Sequence, residues 1–68
     1  MKIEGREVRF PENQYDPVTY IPNHANGNAG HPDCEQGVLI RASSKHLMVL
    51  YCKSRTIQTT APESLVWG

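Results

Sequence analysis

Apolar and polar positions mainly alternate along this chain, a pattern typical of half-buried β-strands. Near the N-terminus, Ile3, Val8 and Phe10 are separated by charged and polar residues. Pro11 then removes a backbone donor, so we predict a first strand over residues 7–10. No segment of the chain repeats apolar residues at the helical period over a useful length. The pattern therefore predicts an all-β fold.

Residues 11–36 have a different composition. This segment holds four prolines, two glycines and four asparagines, which favour turns rather than the interior of a strand. Only residues 18–21 have a strand-like composition. So long a stretch without regular structure is unusual in a compact domain and is commonly functional or disordered. We predict an ordered loop over 11–36 that carries the function.

Strand-like segments return after Gly37. The segments VLIRA and HLMVLYC are rich in β-branched and apolar residues, and the second is apolar on both faces, which predicts a central strand. A proline near the start of APESL suits one helical turn. The predicted elements are strands at 38–42, 46–52, 56–60 and 65–67, a hairpin link at 43–46, and a helical turn at 61–65.

This order of elements matches an SH3-like small barrel of about five strands. In that fold a long loop separates strands 1 and 2, and a helical turn precedes the last strand. The opening GREVRF also fits the start of Tudor-like and KOW-like barrels. An oligonucleotide-binding barrel is the alternative. We predict a single domain over residues 1–68, because 68 residues make one domain at most. A chain of this length buries only about 60% of its surface on folding, so we expect its core to be small.

The charges cancel overall but are unevenly distributed. Seven basic and seven acidic side chains favour neither nucleic acid nor a membrane surface. Residues 37–68, however, hold four basic side chains against one acidic side chain. These basic groups lie near the two predicted hairpin turns with a tyrosine between them, so nucleic-acid binding is an alternative function. The predicted nucleic-acid surface consists of Arg41, Lys45, Tyr51, Lys53 and Arg55.

The N-terminal sequence has no apolar core of signal-peptide length, and the longest apolar run covers only residues 47–52. We therefore expect neither a Sec signal nor a membrane span. The expected compartment is the cytoplasm, where Cys34 and Cys52 would stay reduced. A disulfide between them is the less favoured interpretation.

The segment TYIPNHANGNAGHPDCEQGV (19–38), together with the ending QTTAPESLVWG, resembles a group of short phage and prophage proteins. That group shares a Tyr-Ile-Pro start, a histidine-rich loop ending His-Pro-Asp-Cys-Glu-x-Gly-Val, and a Thr-Thr/Pro/Leu ending. The resemblance covers about half of the chain. It implies an accessory protein of bacteriophage type in the cytoplasm of a bacterial host, more than it implies a chemistry.

Four residues could bind zinc: His24, His31, Cys34 and Cys52. Their spacing lacks the Cys-x2-Cys knuckle, so we favour a protein without a cofactor and keep a zinc-stabilised domain as an alternative. In the favoured interpretation the histidines bond to backbone, Asp33 caps a turn, and both cysteines are small buried apolar groups.

Catalysis is the least favoured interpretation. A Cys34 thiolate could act with His31 or His24 as base and with Asp33 orienting the imidazole. A barrel this small, however, leaves little room for a pocket of several hundred Å³. We therefore predict that the protein is not an enzyme.

Protein binding is the favoured function. The long loop presents amphipathic aromatic side chains among adaptable polar ones, the composition that binding surfaces favour. We expect the partner to be a host bacterial protein, with nucleic acid as the alternative and no membrane. Two copies could also pair through exposed strand edges. In a purely structural interpretation, the two loop tyrosines pack over one end of the barrel. The predicted contact residues are Tyr15, Tyr20, His24, Asn26 and His31.

Overall fold

The computed structural model describes residues 1–68, and its regular elements are strands joined by turns and two short 3-10 helices. The domain is therefore all-β, as the alternating pattern predicts. None of its helical segments has the length and apolar character needed to cross a membrane. The elements are β1 (Lys2–Ile3), β2 (Arg6–Glu7), β3 (Pro17–Tyr20), η1 (Asn23–Ala25), β4 (Glu35–Ala42), β5 (Leu47–Tyr51), β6 (Ile57–Thr60), η2 (Pro62–Ser64) and β7 (Leu65–Trp67).

Five of the strands form one antiparallel sheet in the order β6–β5–β4–β3–β7, and β1 and β2 form a separate hairpin. The last strand returns to pair with β3, where Thr19 lies opposite Val66. Strands β6 and β7 are the two edges of the sheet, and they are not paired with each other. The sheet therefore does not close into a complete barrel.

The prediction of a first strand over residues 7–10 is wrong. Strand β2 ends at Glu7, and Val8 and Phe10 instead pack, half-buried, against the core. The strand that begins the five-stranded sheet is β3, inside the segment predicted as one long loop. Pro17 is its first residue, where a missing amide is tolerated, and Val18 is fully buried. The long loop between β3 and β4 is therefore confined to residues 21–34.

The segments after Gly37 fold largely as predicted. Strand β5 lies between β4 and β6, which confirms its central position. Its alternate side chains point into the core, but the opposite face is open, with Leu50 37% exposed. Each fully buried side chain contributes about 1.5–3 kcal/mol of hydrophobic stabilisation. The core consists of Ile3, Val18, Leu39, Leu47, Val49, Tyr51 and Leu65.

The N-terminal hairpin covers the β7 edge of the sheet. The indole Nε1 of Trp67 donates a 3.0 Å hydrogen bond to the carbonyl of Ile3, and the Trp67 amide donates to the carboxylate of Glu4. The guanidinium of Arg6 lies 4.5 Å from the centroid of the indole ring, a cation–π contact. The β6 edge, in contrast, is paired by β5 alone.

Hydrogen bonds and buried side chains connect the loop 21–34 to the rest of the domain. The Ile21 amide donates a 2.8 Å hydrogen bond to the carbonyl of Ser64 in η2. Pro22 and Ala25 are buried, so the first half of the loop is packed onto the sheet. At the other end, Lys53 Nζ donates to the carbonyl of Pro32. These contacts position the polar side chains between them.

Candidate functional site

A groove with a volume of ≈ 500 Å³ lies between β6 and η2. The expectation that so small a domain leaves little room for a pocket is therefore wrong, because an incompletely closed sheet leaves this flank open. The lining is mostly polar and comes from β3, β4, β5, β6 and η2. The lining includes Tyr20, Glu35, Tyr51, Thr59, Thr60 and Ser64.

Two tyrosines form one wall of the groove. The rings of Tyr20 and Tyr51 meet edge to face, with centroids 6.2 Å apart and an angle of 75° between the planes. The Tyr51 hydroxyl shares a buried 2.6 Å hydrogen bond with Thr60 Oγ1. Burial raises the pKa of the Tyr51 phenol, although the bond to Thr60 acts in the opposite direction. Tyr51 is therefore a fixed, neutral part of this wall at physiological pH.

Glu35 is the charged residue of the groove. It is the first residue of β4 and is half-buried, and its carboxylate accepts a hydrogen bond from the Ser54 amide. That bond fixes the carboxylate beside the two aromatic rings. A carboxylate next to aromatic rings suits a cation, because both the charge and the ring faces attract it.

The edge strand beside the groove has unpaired backbone groups. The Tyr51 amide donates a 2.9 Å bond to the carbonyl of Thr56, so residues 56, 58 and 60 direct their backbone groups toward β5. By the alternation of antiparallel pairing, Ile57 and Thr59 direct theirs away from the sheet. The sequence Ile-Gln-Thr-Thr has no proline or lysine, two devices that protect sheet edges.

An apolar pair lies on the outer face of the same edge. Ile57 is 52% exposed, and Leu50 lies directly opposite it on β5. Directly paired cross-strand side chains lie close enough to form one surface. The edge therefore presents a small apolar patch on one side of the sheet and the polar groove on the other.

The predicted protein-binding residues are dispersed. Tyr20 lines the groove, whereas Tyr15 is 64% exposed on the segment before β3, where its amide donates to the carbonyl of Leu39. The two tyrosines therefore do not pack together as a lid. Asn26 ends η1 in a left-handed conformation and is exposed.

The basic side chains of the predicted nucleic-acid surface lie in two groups. Arg41 and Lys45 lie near the β4–β5 turn, and Lys53 and Arg55 near the β5–β6 turn, at opposite ends of β5. Strand β5, which lies between the two pairs, has five residues and is about 13 Å long. Tyr51 is only 4% exposed, so its ring is not free to stack on a base.

The two loop histidines meet around one carboxylate. His24 Nε2 donates a 2.7 Å hydrogen bond to Asp33 Oδ2, and His31 Nδ1 lies 4.0 Å from the same oxygen. The imidazole centroids are 5.3 Å apart. The hydrogen bond from His24 holds the pKa of the Asp33 carboxyl below its usual value, against desolvation and with help from the charges of His31 and Lys53.

The cysteines do not join this cluster. The Cys34 thiol donates to the carbonyl of Asn28 rather than to an imidazole, and Cys52 is exposed in the turn after β5. Both cysteines are free. The interpretation of Cys52 as a buried apolar group is wrong, because the residue lies beyond the last inward-facing position of β5. The group whose donor atoms come together is His24, His31 and Asp33.

In comparisons with known proteins, no family model, no curated protein and no solved structure matches the chain. Its function has to be argued from the chemistry of these surfaces. Sequence reasoning found Tyr20 but missed Glu35 and Thr59 as groove residues. No local pattern joins positions 35 and 59, because only the strand order of the sheet brings them together.

Proposed function

We propose that the protein is a non-catalytic binding module that takes an extended segment of a partner protein along β6. The observation that carries the proposal is an uncovered edge strand directly beside a groove. The opposite edge, β7, is covered by the N-terminal hairpin through Trp67. This asymmetry favours β6 as the edge that receives a partner.

Backbone pairing would supply the part of the affinity that does not depend on the side chains of the bound segment. The amides and carbonyls of Ile57 and Thr59 point away from the sheet, and an added strand would pair with them. Each hydrogen bond of this kind contributes about 0.5–1.5 kcal/mol. Alternate side chains of the added strand would then lie over the Ile57–Leu50 pair or enter the groove.

The groove would select the side chain that enters it. Glu35 supplies a fixed negative charge, and Tyr20 supplies an aromatic ring beside it. We therefore propose that the bound segment carries lysine or arginine on its groove side and apolar residues on its other side. The resemblance to short phage proteins makes a host protein of the bacterial cytoplasm the expected source of that segment.

We also propose that the five-stranded sheet is an SH3-like small barrel in an open form. Three features support this assignment. Strand β7 pairs with the first strand of the sheet, the long loop 21–34 joins the first two strands, and the helical turn η2 directly precedes β7. The β6 flank, where the groove lies, is the part left open.

In the experiment, the wild type, Thr59→Pro and Ser44→Pro are each immobilised and used to capture binding proteins from bacterial lysate. Thr59→Pro removes an outward amide from β6, whereas Ser44→Pro places the same residue in the exposed turn 43–46, where the amide makes no hydrogen bond. The captured segment, made as a synthetic peptide, is then titrated by fluorescence anisotropy. We expect Thr59→Pro to weaken binding by about tenfold or more and Ser44→Pro to leave it unchanged.

Equal binding by the wild type and Thr59→Pro would overturn the proposal. Circular dichroism checks that each variant is folded. If Thr59→Pro unfolds, Ile57→Lys provides the same test, because it places a protecting charge on the edge without altering the backbone.

A further inference from the structure

We propose that the loop 21–34 binds a divalent metal ion of the zinc class through His24, His31 and Asp33. The site is separate from the β6 edge, and the proposal does not depend on the proposed function. It also differs from the zinc set predicted from sequence, because an aspartate takes the place of both cysteines.

The donor atoms are close to the spacing that a metal requires. Tetrahedral zinc with bonds of about 2.0–2.2 Å places its ligand atoms about 3.3–3.6 Å apart. One donor atom from each of the three residues lies within 4.8 Å of the others, and the His24–Asp33 and His31–Asp33 separations are 2.7 and 4.0 Å. The shifts needed are about 0.6–1.5 Å, within the reach of side-chain rotation.

The side chains are free to make these shifts. Those of His24 and Asp33 are 61% and 62% exposed, and that of His31 is half-buried. The backbone is better fixed at the start of the loop, because the Ile21 amide bonds to the carbonyl of Ser64 and both Pro22 and Ala25 are buried. The Asp33 amide donates to His31 Nδ1 and keeps that ring beside the carboxylate. Ligation through this nitrogen would replace that hydrogen bond with the metal.

The donor set fits borderline metals rather than calcium or magnesium. Two imidazoles and one carboxylate suit zinc and its neighbours, whereas calcium and magnesium prefer oxygen ligands alone. The ionised Asp33 supplies the negative charge that balances part of the ion. Three protein donors leave at least one position to solvent, which is the arrangement of an open site rather than of a closed structural site.

The test uses the full chain, freed of metal by a chelator and titrated with Zn²⁺ by calorimetry. We expect one ion per chain. His24→Ala and Asp33→Asn should each weaken binding at least about tenfold. The matched controls are His46→Ala, which removes the exposed histidine of the 43–46 turn, and Cys52→Ser, and both should bind as the wild type does.

Substitution with Co²⁺ separates this site from the alternative zinc set. A cobalt spectrum without a thiolate charge-transfer band is expected, because no sulfur is among the proposed ligands. Such a band, or loss of binding in Cys52→Ser, would overturn the assignment. The absence of one-to-one binding at about 100 μM Zn²⁺ would also overturn the assignment. The three side chains would then serve only as a hydrogen-bonded cluster that stabilises the loop.

Discussion

Replacement of Gly37 by alanine tests the packing of the two central strands. A Cβ atom at this position would lie 2.6 Å from the carbonyl oxygen of Leu50 and 2.7 Å from Val49 Cγ1, whereas ordinary contact begins at 3.4 Å. The overlap with the oxygen is about 0.8 Å, and that atom belongs to the backbone of β5. It cannot rotate away, so β4 and β5 have to separate. Overpacking of a core costs about 1–3 kcal/mol, and we expect a loss at the upper end of that range.

Gly30→Ala is the matched control. At Gly30 the nearest atom to a new Cβ is Asn28 Oδ1 at 3.3 Å, which accepts a hydrogen bond from the Gly30 amide and lies only 0.1 Å inside ordinary contact at 3.4 Å. Replacing glycine by alanine at a compatible position stabilises by about 0.4–1 kcal/mol, because it restricts the unfolded chain. We therefore expect Gly30→Ala to lie within about 0.5 kcal/mol of the wild type once the displacement of Asn28 is offset.

Urea unfolding followed by tryptophan fluorescence measures both variants, since Trp67 is the single tryptophan and is half-buried at the β7 edge. The wild type and the two variants should share one m-value, so that the midpoints report stability directly. If Gly37→Ala unfolds at the same urea concentration as Gly30→Ala, the close approach of β4 and β5 does not limit packing and the reasoning fails.

Three further predictions concern the groove and the covered edge. Glu35→Gln keeps an acceptor for the Ser54 amide but removes the charge, so peptides with lysine or arginine on the groove side should bind about tenfold more weakly by anisotropy; equal binding would contradict the charge argument. Burial raises the pKa of Tyr51 from 10.0, so its contribution to stability is complete below pH 10.0 and is lost as pH rises through the folded-state pKa. Urea titrations should show this alkaline loss in the wild type and not in Tyr51→Phe, and parallel curves would refute it. Arg6→Ala removes the cation–π contact and should lower the free energy of unfolding by about 0.5–1 kcal/mol; an unchanged urea midpoint would show that the contact adds nothing to the hairpin.

Much of the fold after Gly37 could be predicted, because strand alternation and short turns are local properties. Residues 18–21 have a strand-like composition, but turn-forming residues surround them, and the sequence does not indicate that this segment pairs with both β4 and β7. The structural role of Gly37 could not be predicted from the sequence either. The sequence indicates it as the end of a loop, but it lies inside β4, where its missing side chain permits close packing.

The candidate sites divide in a similar way. Both histidines of the loop cluster could be selected from sequence, since imidazoles that can bind metal are visible as residue types within one loop. The choice of Asp33 over Cys34 as their neighbour depends on the turns within the loop, which direct the carboxylate to His24 and the thiol to the carbonyl of Asn28. The groove was not predictable, because its wall joins residues from five separate elements.

The pairing of β3 with β7 has a kinetic consequence. Thr19 and Val66 are 47 residues apart in sequence, so the length-dependent entropy cost of closing that loop is about 3.4 kcal/mol. The corresponding cost for Ala42 and Leu47, the pair that closes the β4–β5 hairpin, is about 1.4 kcal/mol. We expect the hairpins β4–β5–β6 to form first, and β7 to join last on a scale of milliseconds to seconds. Until β7 pairs with β3, both β3 and β6 are uncovered edges of the sheet. The rate at which β7 pairs therefore sets how long two chains can associate wrongly through the β3 edge.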